Sequence, residues 1–195
     1  MKKIFVLGFA LLFMWACNSE NTNTTPTSTS TENTIGGGQS AVQDDESAKD
    51  VVKVAASSPD HTTLVAAVKQ AGLVDALSNA GPFTVFAPTN VAFDKLPAGT
   101  VDHLVKAENK AALTKVLTYH VVKGNLDSKE LLKLIKKGNG STELTTVQGE
   151  KLWIMQKNNS LWLKDETGAM ARITVKDVYQ SNGVIHVIDT VVMPK

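Results

Sequence analysis

The sequence predicts an α+β fold, with helices gathered toward the first half of the chain and strands toward the second. Three observations carry that expectation. From Ser58 to Gly140 the apolar residues recur mostly at helical spacing and are punctuated by Pro and Gly. From Leu144 onward the period changes to alternation. Near the C-terminus, Asn182-Gly183 opens a run of ten Val- and Ile-rich residues that reads as strand and ends at Pro194. In that run Val184, His186, Ile188, Thr190 and Val192 share one face, and Ile185, Val187, Asp189, Val191 and Met193 share the other. Both faces are mostly apolar, so the strand is expected to be covered on both sides.

Bulk properties narrow the classes. The chain has 195 residues, 43% of them apolar, enough for one domain with a substantial core. Net charge is +1, from 20 basic and 19 acidic residues, and no basic block stands out, which argues against a nucleic-acid partner. The single cysteine excludes an intrachain disulfide and a multi-thiolate metal site.

Three sections follow from the composition: residues 1–16, residues 17–47 and residues 48–195. Lys2 and Lys3 precede thirteen uncharged residues, Ile4 to Ala16, a signal-peptide core too short for a membrane-spanning helix. Met14-Trp15-Ala16-Cys17 resembles the lipobox of bacterial lipoproteins, although Met14 stands where Leu is usual and Trp15 is bulky. That resemblance implies cleavage before Cys17 and a lipid on its thiol. The other reading is an ordinary secretory signal with an incidental cysteine. From Asn18 to about Gln43 the chain is Asn, Thr, Ser and Gly with almost nothing apolar, the composition of a flexible stalk.

Within residues 48–195 the elements follow in order. Asp50 to Ala55 is an apolar lead-in, assigned to the strand series. Ser58-Pro59-Asp60 reads as a helix start, Leu64, Val65, Val68 and Ala71 as its buried stripe, and Gly72 as its left-handed stop. A short helix runs from Leu73 to Asn79. Phe83 to Ala87 is a strand, and Thr89 or Asn90 caps the helical turn Val91 to Leu96, which Pro97 stops. Thr100 caps a turn through Leu104. Asn109 to Thr118 is amphipathic through Leu113, Val116 and Leu117 and delivers Tyr119-His120-Val121-Val122. Ser128 is the expected cap of the helix bearing Leu131, Leu132, Leu134 and Ile135, which Gly138-Asn139-Gly140 ends. Strands are then expected at Leu144 to Val147, Lys151 to Met155, Leu161 to Leu163 and Arg172 to Val178.

Three of these stretches together resemble the fasciclin-like (FAS1) domain. Phe83 to Phe93, with Thr84, Pro88, Thr89 and Asn90, resembles its first signature block. Tyr119-His120 resembles its central Tyr-His pair, and Asn182 to Asp189, with Gly183 and His186, resembles its second block. The resemblance spans Val51 to Pro194. It implies a seven-stranded β-wedge with a helical layer packed on it, and adhesion or extracellular interaction rather than catalysis. In some animal members an Asp-Ile pair before the second block, with the Tyr-His region, is tied to integrin binding. The matching positions here are Asp177-Val178 and Tyr119-His120, so these four form the candidate interaction surface, with Val178 in place of Ile.

Chemistry-bearing residues give little support to an enzyme. His186 and Asp189 lie three apart on a strand and point to opposite faces, so they cannot pair. The four histidines, at 61, 103, 120 and 186, show no metal-ligand spacing, and no Gly-x-Ser-x-Gly elbow exists. No cofactor is expected. Trp153 and Trp162 lie in adjacent strands and share a face with Met155, either as core or as a stacking surface for a ligand or glycan. The expected partners are therefore a membrane, through Cys17, and a protein or polysaccharide. The expected location is the envelope of a Gram-negative bacterium, at its outer membrane.

Overall fold

The computed structural model describes residues 50–195, except Ala80 and the side chain of Asn79. The signal segment, Cys17 and the stalk assigned to residues 1–47 lie outside the described residues.

The chain runs α1 (Val51–Ser57), a 3-10 turn (Pro59–His61), α2 (Thr62–Ala71), α3 (Val74–Asn79), β1 (Phe83–Pro88), α4 (Asn90–Asp94), α5 (Thr100–Leu104), a second 3-10 turn (Ala107–Asn109), α6 (Lys110–Tyr119), β2 (Val121–Lys123) and α7 (Ser128–Lys137). Five strands complete it: β3 (Ser141–Thr145), β4 (Lys151–Lys157), β5 (Ser160–Lys164), β6 (Met170–Gln180) and β7 (Gly183–Ile188). The strands form one mixed sheet in the order β2-β1-β7-β6-β5-β4-β3. Only β1 and β7 pair in parallel. The sheet curls nearly into a barrel, because Val122 of edge strand β2 bridges to Thr146 just past β3 at the other edge. The Val147 amide donates to the Val121 carbonyl at 2.7 Å there. This is the α+β class that the sequence predicts, with the seven strands that the fasciclin-like resemblance implies.

Two cores lie on opposite faces of the central strands. Phe86, Leu144, Leu152, Ile154, Leu161, Leu163, Ala171, Ile173 and Ile188 fill the inside of the curl, closed by Leu131 and Ile135 of α7. Ala87 and Ile185 face the other way, onto Leu64 and Val68 of α2 and Leu113, Val116 and Leu117 of α6. Strand β7 is buried along its whole length. That is the two-sided burial its apolar pattern requires.

Several boundaries differ from the sequence expectation, each for a local reason. Residues 51–57 form helix rather than strand. The Asp50 carboxylate accepts from the amides of Val52 and Lys53, and Asn182 Oδ1 accepts from the Val51 amide, so the first turn is capped twice. Strand β7 stops at Ile188, six residues before Pro194. Asp189 completes the pairing by exchanging two hydrogen bonds with the Arg172 backbone, one through its own side chain. Beyond it, the amides of Val192 and Met193 are taken by His120 Nε2 and Asp165 Oδ2 instead of by a neighbouring strand. Asp127, not Ser128, caps α7, accepting from the Glu130 amide at 2.8 Å. Gly99, with φ 81°, occupies the cap position of α5 that Thr100 was expected to fill.

Candidate functional site

The signature residues are mostly internal fastenings. Thr84 is fully buried in β1; its hydroxyl donates to the Gly124 carbonyl and accepts from the Leu126 amide, both at 2.8 Å, which holds the loop after β2. Pro88 ends β1 opposite Ile188, where β2 no longer reaches and no ladder donor is missed. Thr89 caps α4 through the Ala92 amide. Asn90 crosses to the helical layer, with Oδ1 accepting from Thr62 and Thr63 and Nδ2 donating to the Pro59 carbonyl. Asn182 donates to the carbonyls of Leu77 and Ser78 while its Oδ1 caps α1. A Cβ on Gly183 would stand 2.0 Å from the Phe83 carbonyl oxygen, so only glycine lets β1 and β7 approach.

Tyr119 and His120 are not a surface. Tyr119 is fully buried where α6 meets β2, and its hydroxyl donates to the Lys151 carbonyl at 2.7 Å. Burial pushes its pKa up to about 12. His120 is also buried, with Nδ1–H donating to Val116 O at 2.8 Å and Nε2 accepting from Val192 N at 3.3 Å. Desolvation pushes its pKa down to about 4, so the ring is neutral at neutral pH. Both side chains are buried and bonded within the domain, so in this fold they form no part of an exposed surface, which corrects their place in the candidate surface.

Asp177 and Val178 lie where β6 is irregular. The β6–β7 register shifts twice, between Ile173 and Val175 and between Val175 and Val178. Asp177 adopts φ 61° inside this bulge, a left-handed conformation uncommon for a residue with a side chain. Its carboxylate does not turn to solvent, although the alternation of polar and apolar residues along β6 and its place in the candidate interaction surface suggest that it should. It is half-buried and accepts from both the amide and the hydroxyl of Ser128, clamping the start of α7 to the bulge. The Asp177 amide in turn donates to His186 Nδ1 at 3.3 Å, and His186 Nε2–H donates to Leu126 O at 2.8 Å. His186 is fully buried, stacks on Phe86 at 5.7 Å, and has its pKa lowered by desolvation. Two large apolar side chains are exposed here, Val175 at 49% and Tyr179 at 59% accessible, beside exposed Thr174 and Lys176. The Tyr179 hydroxyl reaches the Asp127 carboxylate at 3.2 Å. The Asp127 carboxyl is held below its ordinary range, chiefly by the Glu130 amide. Val178 is half-buried and lines a groove beside the bulge.

On the far side of the sheet, register pairs Met155 with Trp162, Glu143 with Trp153, and Trp162 with Arg172. Paired residues share a face, so both tryptophans and Met155 lie together among charged neighbours. All three are half-buried, and Trp162 Nε1 is buried without a partner among the described residues. Neither tryptophan lines any of the three cavities described below or in the helical layer.

The sequence reading missed Asp165, which is almost wholly buried. Its Oδ1 accepts from Thr167 and Ala169 to build the β5–β6 turn, and its Oδ2 takes the Met193 amide. The turn-forming run Asp165-Glu166-Thr167-Gly168 was the available signal. Among the described residues no three His, Asp or Glu side chains gather as a metal site, and no helix is long and apolar enough to cross a membrane.

Comparison with known proteins agrees with this geometry. The family model described as the fasciclin domain matches residues 59–194. Protein sll1483 of Synechocystis sp. is 48% identical over 149 residues, covering 76% of this chain and 76% of that protein. The cell surface glycolipoprotein MPB83 of Mycobacterium bovis is 37% identical over 153 residues, covering 75% of this chain and 62% of its own length. Among solved structures, a FAS1 domain pair from the insect cell adhesion molecule fasciclin I superposes with a TM-score of 0.64 at 22% identity. It covers 73% of this chain, and the chain spans half of that molecule.

Proposed function

The chain belongs to the fasciclin family, and from that premise we propose that it is a lipid-anchored interaction module of a bacterial cell envelope. It would hold a protein or polysaccharide partner through the bulged face of β6 and contribute no catalytic step. The observation that carries the reading is the bulge itself. Val175 lies within it and Tyr179 just past it, both exposed on the stretch of β6 that pairs with β7 and not with β5, while the Asp177 carboxylate fastens the bulge to Ser128. Exposed apolar and aromatic side chains on a rigid support, Val175 on one face of β6 and Tyr179 on the other, offer a partner a grip on the edge of this strand. The names of the two adhesion- and surface-associated relatives are consistent with it. Cys17, after thirteen uncharged residues, supplies the tether.

Two experiments test the parts separately. Labelled palmitate should enter the full-length chain and not its Cys17→Ser form; label in Cys17→Ser sinks the anchor. Val175→Glu with Tyr179→Ala should abolish capture of the partner from envelope extract while leaving the melting temperature within about 1 °C, as surface substitutions do. Undiminished capture would move the contact elsewhere. The outward face bearing Trp153, Met155 and Trp162 supports a second reading, a glycan-stacking surface. In that case Trp162→Ala, and not the β6 variant, would release cells from immobilised polysaccharide.

A further inference from the structure

Beside the β6 bulge lies a groove of about 370 Å³, the largest of the cavities described. Its floor is the outward face of β7, Ile185 and Val187, with Ala87 of β1. One wall is Val54 and Ala55 of α1, and the other is Val175 and Val178 of β6. The two register shifts that bulge β6 displace its side chains from those of β7 and leave this space unfilled. The two other cavities, in the helical layer, hold only about 20 and 40 Å³. Only the groove falls in the size range of small-molecule sites.

The polar groups on the groove are few: Ser58, Asp60 and His61 just after α1, Thr89 after β1, and Thr174 of β6, whose hydroxyl is already taken by the Val187 carbonyl. His61 is 8% accessible, and its Nδ1 is taken by Ser58 Oγ at 2.9 Å. Its Nε2 is buried and has no hydrogen-bond partner among the described residues. Desolvation lowers its pKa, outweighing the raising influences of Asp60 and of the nearby Ala87 carbonyl, which does not complete a hydrogen bond to Nε2. A buried, neutral imidazole nitrogen left unpaired is costly, and native folds seldom keep one without a use.

We propose that this groove binds a small apolar molecule carrying a hydroxyl group, with the hydrocarbon on Val54, Val178, Ile185 and Val187 and the hydroxyl on His61 Nε2. A hydroxyl suits the site because it both donates and accepts. The Ser58 hydroxyl does the same, so either imidazole tautomer can be satisfied at both nitrogens. A carboxylate is disfavoured, since Asp60 stands at the same end and no basic side chain lines the groove. Water-sized contact does not reach Nε2 in the free chain, so binding includes a small turn of the His61 ring. This site shares Val175 with the proposed β6 contact, but the variants that test it leave Val175 and Tyr179 unchanged, so either proposal can fail without the other.

The test uses the full-length chain held in lipid nanodiscs, with cyclohexanol as probe and cyclohexane as its counterpart lacking the hydroxyl, compared at equal free concentration. Methyl NMR should show saturable shifts centred on Val54, Val178, Ile185 and Val187, with cyclohexanol bound at least fivefold more tightly than cyclohexane. His61→Phe should erase that preference while cyclohexane still binds. Ala55→Trp, which fills the groove from its α1 wall and removes no hydrogen bond, should abolish both shifts; it serves on its own if His61→Phe does not fold. Shifts that do not saturate, shifts centred on the Met155 methyl beside Trp153 and Trp162, a preference that survives His61→Phe, or binding that survives Ala55→Trp would each overturn the proposal.

Discussion

His186 and Asp177 show how a single side chain's role depends on what lies across from it. The alternation of β6 suggests that Asp177 faces solvent and costs little to remove. In the fold it holds Ser128 twice over and sits at φ 61°. Asp177→Ala should therefore cost about 1–2 kcal/mol, from the lost hydrogen bonds and from a left-handed alanine. His186→Ala should cost about 1–3 kcal/mol, since it strands the Leu126 carbonyl and the Asp177 amide. Urea melts of both variants check this; a silent Asp177→Ala would restore the solvent-facing reading. His120 gives the chain a pH dependence. Its folded pKa, about 4, lies below the ordinary 6.5, because the ring is desolvated and its Nε2 must accept from Val192 N rather than donate. The unfolded chain binds the proton more readily, so His120 contributes its full stability above pH 6.5 and loses it as pH falls toward 4. The loss is on the order of 3 kcal/mol. His186, shifted the same way, adds to the trend. Urea midpoints should drop across that window, and more shallowly in His120→Gln.

At the scale of elements, the parallel β1–β7 pair joins the two cores, since each strand carries residues of both. Its register depends on Gly183, where a Cβ would meet the Phe83 carbonyl at 2.0 Å and the Phe83 amide nitrogen at 2.9 Å. Gly183→Ala must push the strands apart, and the expected loss exceeds about 3 kcal/mol, in the range reserved for strained backbone and broken packing. Thermal denaturation would show it as a fall of about 10 °C or more, or as failure to fold. Asn182 works beside it in a different way, reaching back to α1 and α3 at the far end of the chain. The Asn-Gly pair was legible as a turn because both residues tolerate its dihedrals. That the Asn side chain also fastens the first helix could not be read, because its partners lie 104 to 131 residues away. Helix α1 illustrates the same limit. Val51-Val52-Lys53-Val54 has strand propensity, and the cap from Asp50 together with packing on α2 overrides it.

At the scale of the molecule, both cores are, among the described residues, assembled from positions between Val51 and Met193. Residues 18–43 contain almost nothing apolar to add to them. Deleting that stretch should leave the melting temperature unchanged within about 1 °C by calorimetry. A fall of several degrees would mean that the stretch packs on the domain.

Sequence alone determined the periods, and with them the α+β class, the helix stops at Gly72 and Gly138, the turn at Asn182-Gly183 and the two-sided burial of β7. These are local properties, set by dihedral preference and by which faces are apolar. The place of His186 in a run apolar on both faces also agrees with its burial. Tertiary structure decided the rest: that Tyr119 and His120 lie inside, that Asp127 rather than Ser128 caps α7, that Asp177 is clamped, and that β6 bulges to open a groove at His61. Each of these depends on which distant backbone group stands opposite a given side chain. Alternation along a strand carries no record of the partner strand's register, so the bulge and the groove beside it appear only once β6 is paired with β7.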